Sequence, residues 1–122
     1  MVRDIQREDG LFTVDEFHYE NLYFHLRFGG RVYGRCHIQI DGKVAYVHLY
    51  MDKFSKRILK EMIADFKLIK LRLKGKGITH IAGSKEADDC TCWLKFIRLM
   101  GFDKVADVII GCKDAKLAIM EV

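Results

Sequence analysis

The chain has 122 residues, with 21 Lys and Arg against 17 Asp and Glu, a formal net charge of +4, and 50% hydrophobic and 31% charged residues. That is an ordinary globular profile, expected to form a single domain over residues 1–122 with a core of its own, and its charge falls short of a nucleic-acid footprint. No stretch is apolar for long enough to span a bilayer, and the charged start Met1-Val2-Arg3-Asp4 lacks the apolar run of a signal peptide, so a cytoplasmic protein is expected.

There is no proline, so turns fall to Gly, Asp and Asn, and the ten glycines become boundary marks. Residues 2–6 read as a first strand, followed by a turn at Asp9-Gly10. Thr13-Val14-Asp15-Glu16 has the form of a capping box, in which a Thr hydroxyl and a Glu carboxylate satisfy the first free amides of a helix. Phe17, Asn21, Phe24 and Phe28 follow at one-turn spacing, which predicts a helix over about 14–28, stopped by Gly29-Gly30.

Residues 31–40 and 43–51 are rich in Val, Ile and Tyr and flank Asp41-Gly42. That pattern predicts a β-hairpin with a type I′ turn. In its second strand Val44, Tyr46, His48 and Tyr50 share one face. Ala45, Val47, Leu49 and Met51 share the other, which is the expected core face. From about Phe54 the period changes: Ile58, Leu59, Met62, Ile63, Phe66, Ile69 and Leu73 recur at three-to-four spacing, predicting a long helix that ends at Gly75. Its outer stripe carries Lys56, Arg57, Lys60, Lys67, Lys70 and Lys74. A solvated face is the preferred reading of that stripe over nucleic-acid binding.

Residues 78–82 form the next strand, 89–100 the last helix with Gly101 just past its end, and 105–110 and 116–120 a closing pair of strands joined by Gly111-Cys112-Lys113-Asp114. Cysteines stand at 36, 90, 92 and 112. Cys90-Thr91-Cys92 lacks both the spacing and the neighbouring His of a zinc site, so reduced, mostly buried thiols are expected and no metal. The expected order is β-α-β-β-α-β-α-β-β. The unit from strand 43–51 through the long helix to strand 78–82 makes those strands parallel, in an α/β (α+β) fold with a mixed, mostly antiparallel sheet and flanking helices.

This order resembles the GNAT superfamily of acyl-CoA-dependent N-acyltransferases. Val2-Arg3-Asp4-Ile5 with Asp9 is similar to that family's first strand and the acidic residue after it. The hairpin followed by a long helix is similar to its central sheet and acyl-CoA helix. Trp93-Leu94-Lys95-Phe96-Ile97-Arg98-Leu99-Met100-Gly101-Phe102 is similar to its Phe-Tyr-x-x-x-Gly-Phe ending. The resemblance implies a GNAT-like domain that binds acetyl-CoA or another acyl-CoA and acylates an amine, on a small molecule or a protein. The backbone of Leu49, Tyr50 and Met51 would hold the thioester, and the pyrophosphate would lie at the start of the long helix.

The departures from the family pattern are specific. Where the family has a Gly-rich phosphate loop, this chain reads Tyr50-Met51-Asp52-Lys53-Phe54-Ser55-Lys56-Arg57. The family glycines fall on Lys53 and Ser55, and Asp52 adds a negative charge. Lys53, Ser55, Lys56 and Arg57 are the candidate phosphate partners, with Asp52 or Ser55 as simple helix caps the other reading. The family's acid Tyr falls on Ile97, and its Asn falls near Cys90. His37, His48, Tyr46 and Tyr50 are the titratable candidates on the hairpin; His48 and Tyr50 are taken as the catalytic pair. The alternative to an active enzyme is a GNAT-fold binding or structural protein without catalysis, of the kind found in bacteriophages as virion-associated or host-interacting proteins, acting on a protein partner.

Overall fold

The computed structural model describes residues 2–4, 20–51, 55–86 and 91–122. They form β1 (Val2–Asp4), β2 (Glu20–Phe28), β3 (Arg31–Asp41), β4 (Val44–Met51), α1 (Lys56–Gly75), β5 (His80–Glu86), α2 (Thr91–Met100), β6 (Lys104–Ile110) and β7 (Lys113–Glu121). The strands make one seven-stranded sheet in the order β1-β2-β3-β4-β5-β7-β6. Every neighbouring pair is antiparallel except β4 and β5, which are parallel and joined through α1. The mixed sheet with one β-α-β unit is the architecture expected from the sequence.

One element differs. Residues 20–28, expected as the end of a helix, are strand β2, paired with β3 from Glu20↔Ile40 to Phe28↔Arg31. The reason is a competing period. Leu22, Phe24, Leu26 and Phe28 alternate with Tyr23, His25 and Arg27, and this period of two places the apolar set on one face. Phe24 and Leu26 are buried there. Gly29 and Gly30 do not stop a helix; with φ of 59° and 77° they make the two-residue turn between β2 and β3. The Thr13–Glu16 capping box and the rest of that expected helix lie outside the described residues, as do residues 5–6 of the expected first strand.

The β3–β4 hairpin is present, but its turn is shifted by one residue. Asp41 closes β3, opposite Val44, and Gly42 and Lys43 are the turn. Gly42 has φ of 60°, while no described residue other than glycine has positive φ. That is the pattern of a II′ turn, with glycine first, rather than I′.

A β-bulge interrupts the β2–β3 ladder: Leu26 pairs with Gly34 and Arg27 with Val32, which leaves Tyr33 as the extra residue. The slip turns Tyr33 toward the helix face, where its buried hydroxyl donates to Asp65 of α1, also buried. The core lies on that face of the sheet. It is built from Phe24, Leu26, Cys36, Ile38 and Ala45 against Met62, Phe66, Ile69 and Leu73 of α1, with Ile97 and Phe102 from α2 and its end. The Phe66 and Phe102 rings stack with centroids 5.8 Å apart, tying the two helices together.

Both helices end as the glycines foretell, though one residue pair differs. At α2, Gly101 has φ of 103°; its amide donates to Arg98 and that of Phe102 donates to Ile97. This is the Schellman arrangement. At α1 the same geometry falls on Gly77, φ 85°, with Ile78 donating to Leu73, and Gly75 is the last helical residue.

Candidate active site

The parallel pairing of β4 and β5 is short. It consists of Val44↔His80, Ala45↔Ile81 and Tyr46↔Ala82. Beyond it β4 runs on to Met51 beside β3, and β5 runs on to Glu86 beside β7. The two strands therefore part, and a cleft opens in the middle of the sheet. The carbonyl oxygen of Val47 faces this gap: a Cβ built on Gly83 of β5 would stand 3.8 Å from it. Backbone groups alternate sides along an antiparallel strand, so Leu49 and Met51 present theirs to the gap as Val47 does. Tyr50, between them, turns its backbone to Arg35 of β3. Of the three residues expected to hold a thioester by their backbone, Leu49 and Met51 thus turn their main chain to the gap, and Tyr50 turns its own to β3.

The gap continues into a cavity of about 540 Å³. Val47, Leu49 and Met51 line it from the helix face of the sheet, and His48 and Tyr50 from the opposite face, so the cavity passes through the sheet. Ser84 of β5 also lines it, and Cys92, Trp93, Phe96, Ile97 and Phe102 close it from the α2 side. Ile97, at the place where the resembling enzymes have a Tyr, is buried and is part of this wall.

His48 is held from β3. Its Nε2 lies 3.0 Å from Oε1 of Gln39, a buried side chain. An amide oxygen only accepts, so Nε2 carries the hydrogen and Nδ1 the lone pair. Burial lowers the His48 pKa below its usual 6.5, which keeps the ring neutral and basic near pH 7. Directly opposite on β3 is His37, fully buried, with its ring 5.5 Å from that of His48. His37 stacks on Tyr23 at 4.6 Å and its Nε2 is 2.8 Å from Asn21 Oδ1. Burial raises the pKa of Tyr50, so its phenol stays protonated. The sequence reading found His37, His48 and Tyr50 but missed Gln39 and Asn21. The available signal was the alternation Arg35, His37, Gln39 along β3, which places a polar row beside Tyr46, His48 and Tyr50.

The helix start has a different look. The Ser55 hydroxyl accepts from the Ile58 amide at 3.2 Å, so Ser55 is the N-cap of α1. Lys56 is exposed. The Arg57 guanidinium lies over the Phe28 ring, 5.1 Å from its centroid, and Arg72 lies over Phe24 at 5.2 Å. One member of the basic stripe, Arg57, and Arg72 outside it therefore lie against β2. Lys53 and the rest of residues 52–54 lie outside the described residues.

Many solved structures share this fold. An N-acetyltransferase for alanine of ribosomal protein S18 from Escherichia coli matches with a TM-score of 0.63 at 14% identity, over 99% of this chain and 94% of that one. A protein of the GNAT family from Desulfovibrio desulfuricans matches with 0.67 at 8% identity, over 83% and 68%. The chain has the GNAT fold. The aminoglycoside acetyltransferase AAC(6′)-Ib, in complex with ribostamycin and coenzyme A, shares it with a TM-score of 0.70 at 11% identity, over 85% of this chain and 65% of that one. No family model and no curated protein matches the sequence. At this level of identity the GNAT fold is held by the pattern of apolar positions and turns, and few individual residues are shared. Among the described residues no helix is long and apolar enough to cross a membrane.

Proposed function

We propose that the protein is an acyl-CoA-dependent N-acyltransferase acting on an amine. The observation that carries this reading is the parting of β4 and β5 beyond Tyr46 and Ala82, which leaves main-chain groups of β4 facing a cleft. Acyl-CoA would supply an activated acyl thioester there. The backbone of Leu49 and Met51 would hold it along the β4 edge, with an amide donating to the thioester oxygen as charge develops. His48, through Nδ1, would accept the proton that the attacking amine loses as its nitrogen bonds to the acyl carbon. Tyr50, protonated, would donate to the departing sulfur as the carbon–sulfur bond breaks. Lys53, Lys56 and Arg57 would meet the phosphates at the start of α1; Arg57 would have to leave Phe28 to do so. The Ser55 cap already uses the Ile58 amide, so the phosphates rely on lysine and arginine side chains more than on the helix end.

The test is thermal unfolding with and without millimolar acetyl-CoA. A ligand at about a hundred times its dissociation constant stabilises the fold by about 2.7 kcal/mol. Absence of any shift with CoA, acetyl-CoA and longer acyl-CoAs alike sinks this reading. The buried Ile97, where an acid Tyr would stand, favours a second reading: a GNAT-fold protein that binds without catalysing. Release of free thiol from acyl-CoA in the presence of a panel of amines separates the two, since only the enzyme produces it.

A further inference from the structure

We propose that the acyl group taken by this site is an aliphatic chain well beyond acetyl, lying in the space between the sheet, α1 and α2; the inference rests on the acyltransferase reading. The cavity's polar side chains are His48, Tyr50 and Ser84 on the sheet, with the Cys92 thiol and the Trp93 indole on α2. Its apolar lining includes Leu26 and Cys36 of the sheet, Met62, Phe66 and Ile69 of α1, and Phe96 of α2. None of these brings a charged or amide side chain. The main chain of Leu26 and Cys36 is in the β2–β3 ladder, and that of Met62, Phe66 and Ile69 is within α1. The one ionisable group among them, the Cys36 thiol, is pushed by burial up to about 12 and is a neutral part of the wall.

This polarity decides what fits. The pantetheine arm of an acyl-CoA carries amides, and an amide moved into a wall of Leu, Met, Phe and Ile loses its hydrogen bonds without replacement. The arm therefore belongs at the β4 edge, where Leu49 and Met51 lie beyond the last pair with β5 and turn their main chain to the gap. A single acetyl methyl, placed beside that edge, occupies little of the cavity. A hydrocarbon chain continuing from the same thioester fills it, and three of the wall residues (Met51, Met62 and Met100) are flexible enough to close around chains of different length.

Trp93 is the only tryptophan in the chain and lines the cavity, so its fluorescence reports occupancy directly. The experiment titrates the protein with CoA, acetyl-CoA, butanoyl-CoA, octanoyl-CoA and dodecanoyl-CoA, following Trp93 emission and thermal unfolding. Affinity is expected to rise about fourfold per methylene, the fold-change that corresponds to about 0.8 kcal/mol, until the chain reaches the end of the cavity. Trp93 emission should change with octanoyl-CoA and little with acetyl-CoA. Cys36→Leu, which narrows the cavity from the sheet, should reduce the octanoyl gain while leaving CoA binding intact; intact CoA binding also shows the variant is folded. Met62→Phe, which narrows it from the helix side, is the second variant. Equal affinity for acetyl- and octanoyl-CoA, with Trp93 indifferent to both, overturns the inference and leaves the acyltransferase reading standing. Binding of none of the five overturns both.

Discussion

Phe102 donates its amide hydrogen to the carbonyl of Ile97 over 3.0 Å, and the side chains of both residues are walls of the cleft. The turn that ends α2 thus also shapes the candidate site. Gly101 makes it possible: at φ of 103°, an L side chain brings its Cβ against the backbone. A Cβ there would meet only the mobile end of Met120, at 3.3 Å, so the strain is mainly conformational. Gly101→Ala is expected to cost about 1–2 kcal/mol in urea unfolding. Gly75→Ala provides the contrast. That residue is helical, with nothing near its added Cβ, and the change should stabilise by about 0.5–1 kcal/mol. If Gly101→Ala proves as harmless as Gly75→Ala, the left-handed end does not hold Phe102 in place.

Gly34 fixes the far end of β4. A Cβ on it would stand 3.0 Å from the Met51 sulfur and 3.2 Å from the Tyr50 carbonyl oxygen. The sulfur can swing away, but the carbonyl belongs to the ladder. Gly34→Ala should therefore destabilise by about 1–3 kcal/mol. It should also displace Met51 into the cleft and weaken any acyl-CoA response measured by thermal shift. A variant of wild-type stability would mean that the two strands accommodate the methyl without cost.

The order of the last six elements was legible because each carries one dominant period. Ile58 to Leu73 reads only as a helix, and Gly101-Phe102 marks where the next helix stops. Residues 20–28 were not legible, because Phe24 and Phe28 fit a helical stripe while Leu22, Phe24, Leu26 and Phe28 fit a strand. Only the β3 partner and the sheet surface decide between them. The site was half legible for a similar reason. His48 and Tyr50 stand on a strand that the pattern identifies. The parting of β4 from β5 comes from where pairing ends, which no residue type announces. Gln39 acts through a cross-strand neighbour, and its role emerges only once the register is known.

The bulge at Tyr33 should be visible in alkaline unfolding. Burial, and then the bond to Asp65, push the Tyr33 pKa well above its ordinary 10.0. In the unfolded chain the phenol ionises near 10, while in the fold it stays neutral. The folded state is therefore favoured below pH 10 and loses that advantage as pH rises past it. Tyr33→Phe should cost about 1–3 kcal/mol at pH 7, by taking a donor from a buried carboxyl. It should also flatten the decline between pH 9 and 11. Tyr33→Phe combined with Asp65→Leu should recover part of the loss at pH 7, because the buried carboxyl that lost the phenol's donor is then gone as well. A double variant weaker than the sum of the two singles would count against that account.

His48 gives the opposite slope in acid. Its folded pKa lies below the ordinary 6.5 because burial disfavours the charged ring. Below 6.5 the unfolded chain takes up a proton that the fold resists, so stability falls as pH drops from about 6.5 to the folded value, and is fully present above 6.5. The contribution of one proton is at most about 1.4 kcal/mol per pH unit. The ring is faced by His37 and Gln39 on β3, with Arg35, Tyr46 and Tyr50 along the same polar face. Groups common to both proteins cancel, so the difference between wild type and His48→Gln isolates the term. Urea unfolding of both at half-unit steps from pH 5 to 8 should show wild type losing stability faster toward acid, and the two curves running parallel above pH 7. Parallel curves across the whole range would mean that the His48 ring is not shielded from water. A base poised as the proposed reaction requires would then be absent from β4.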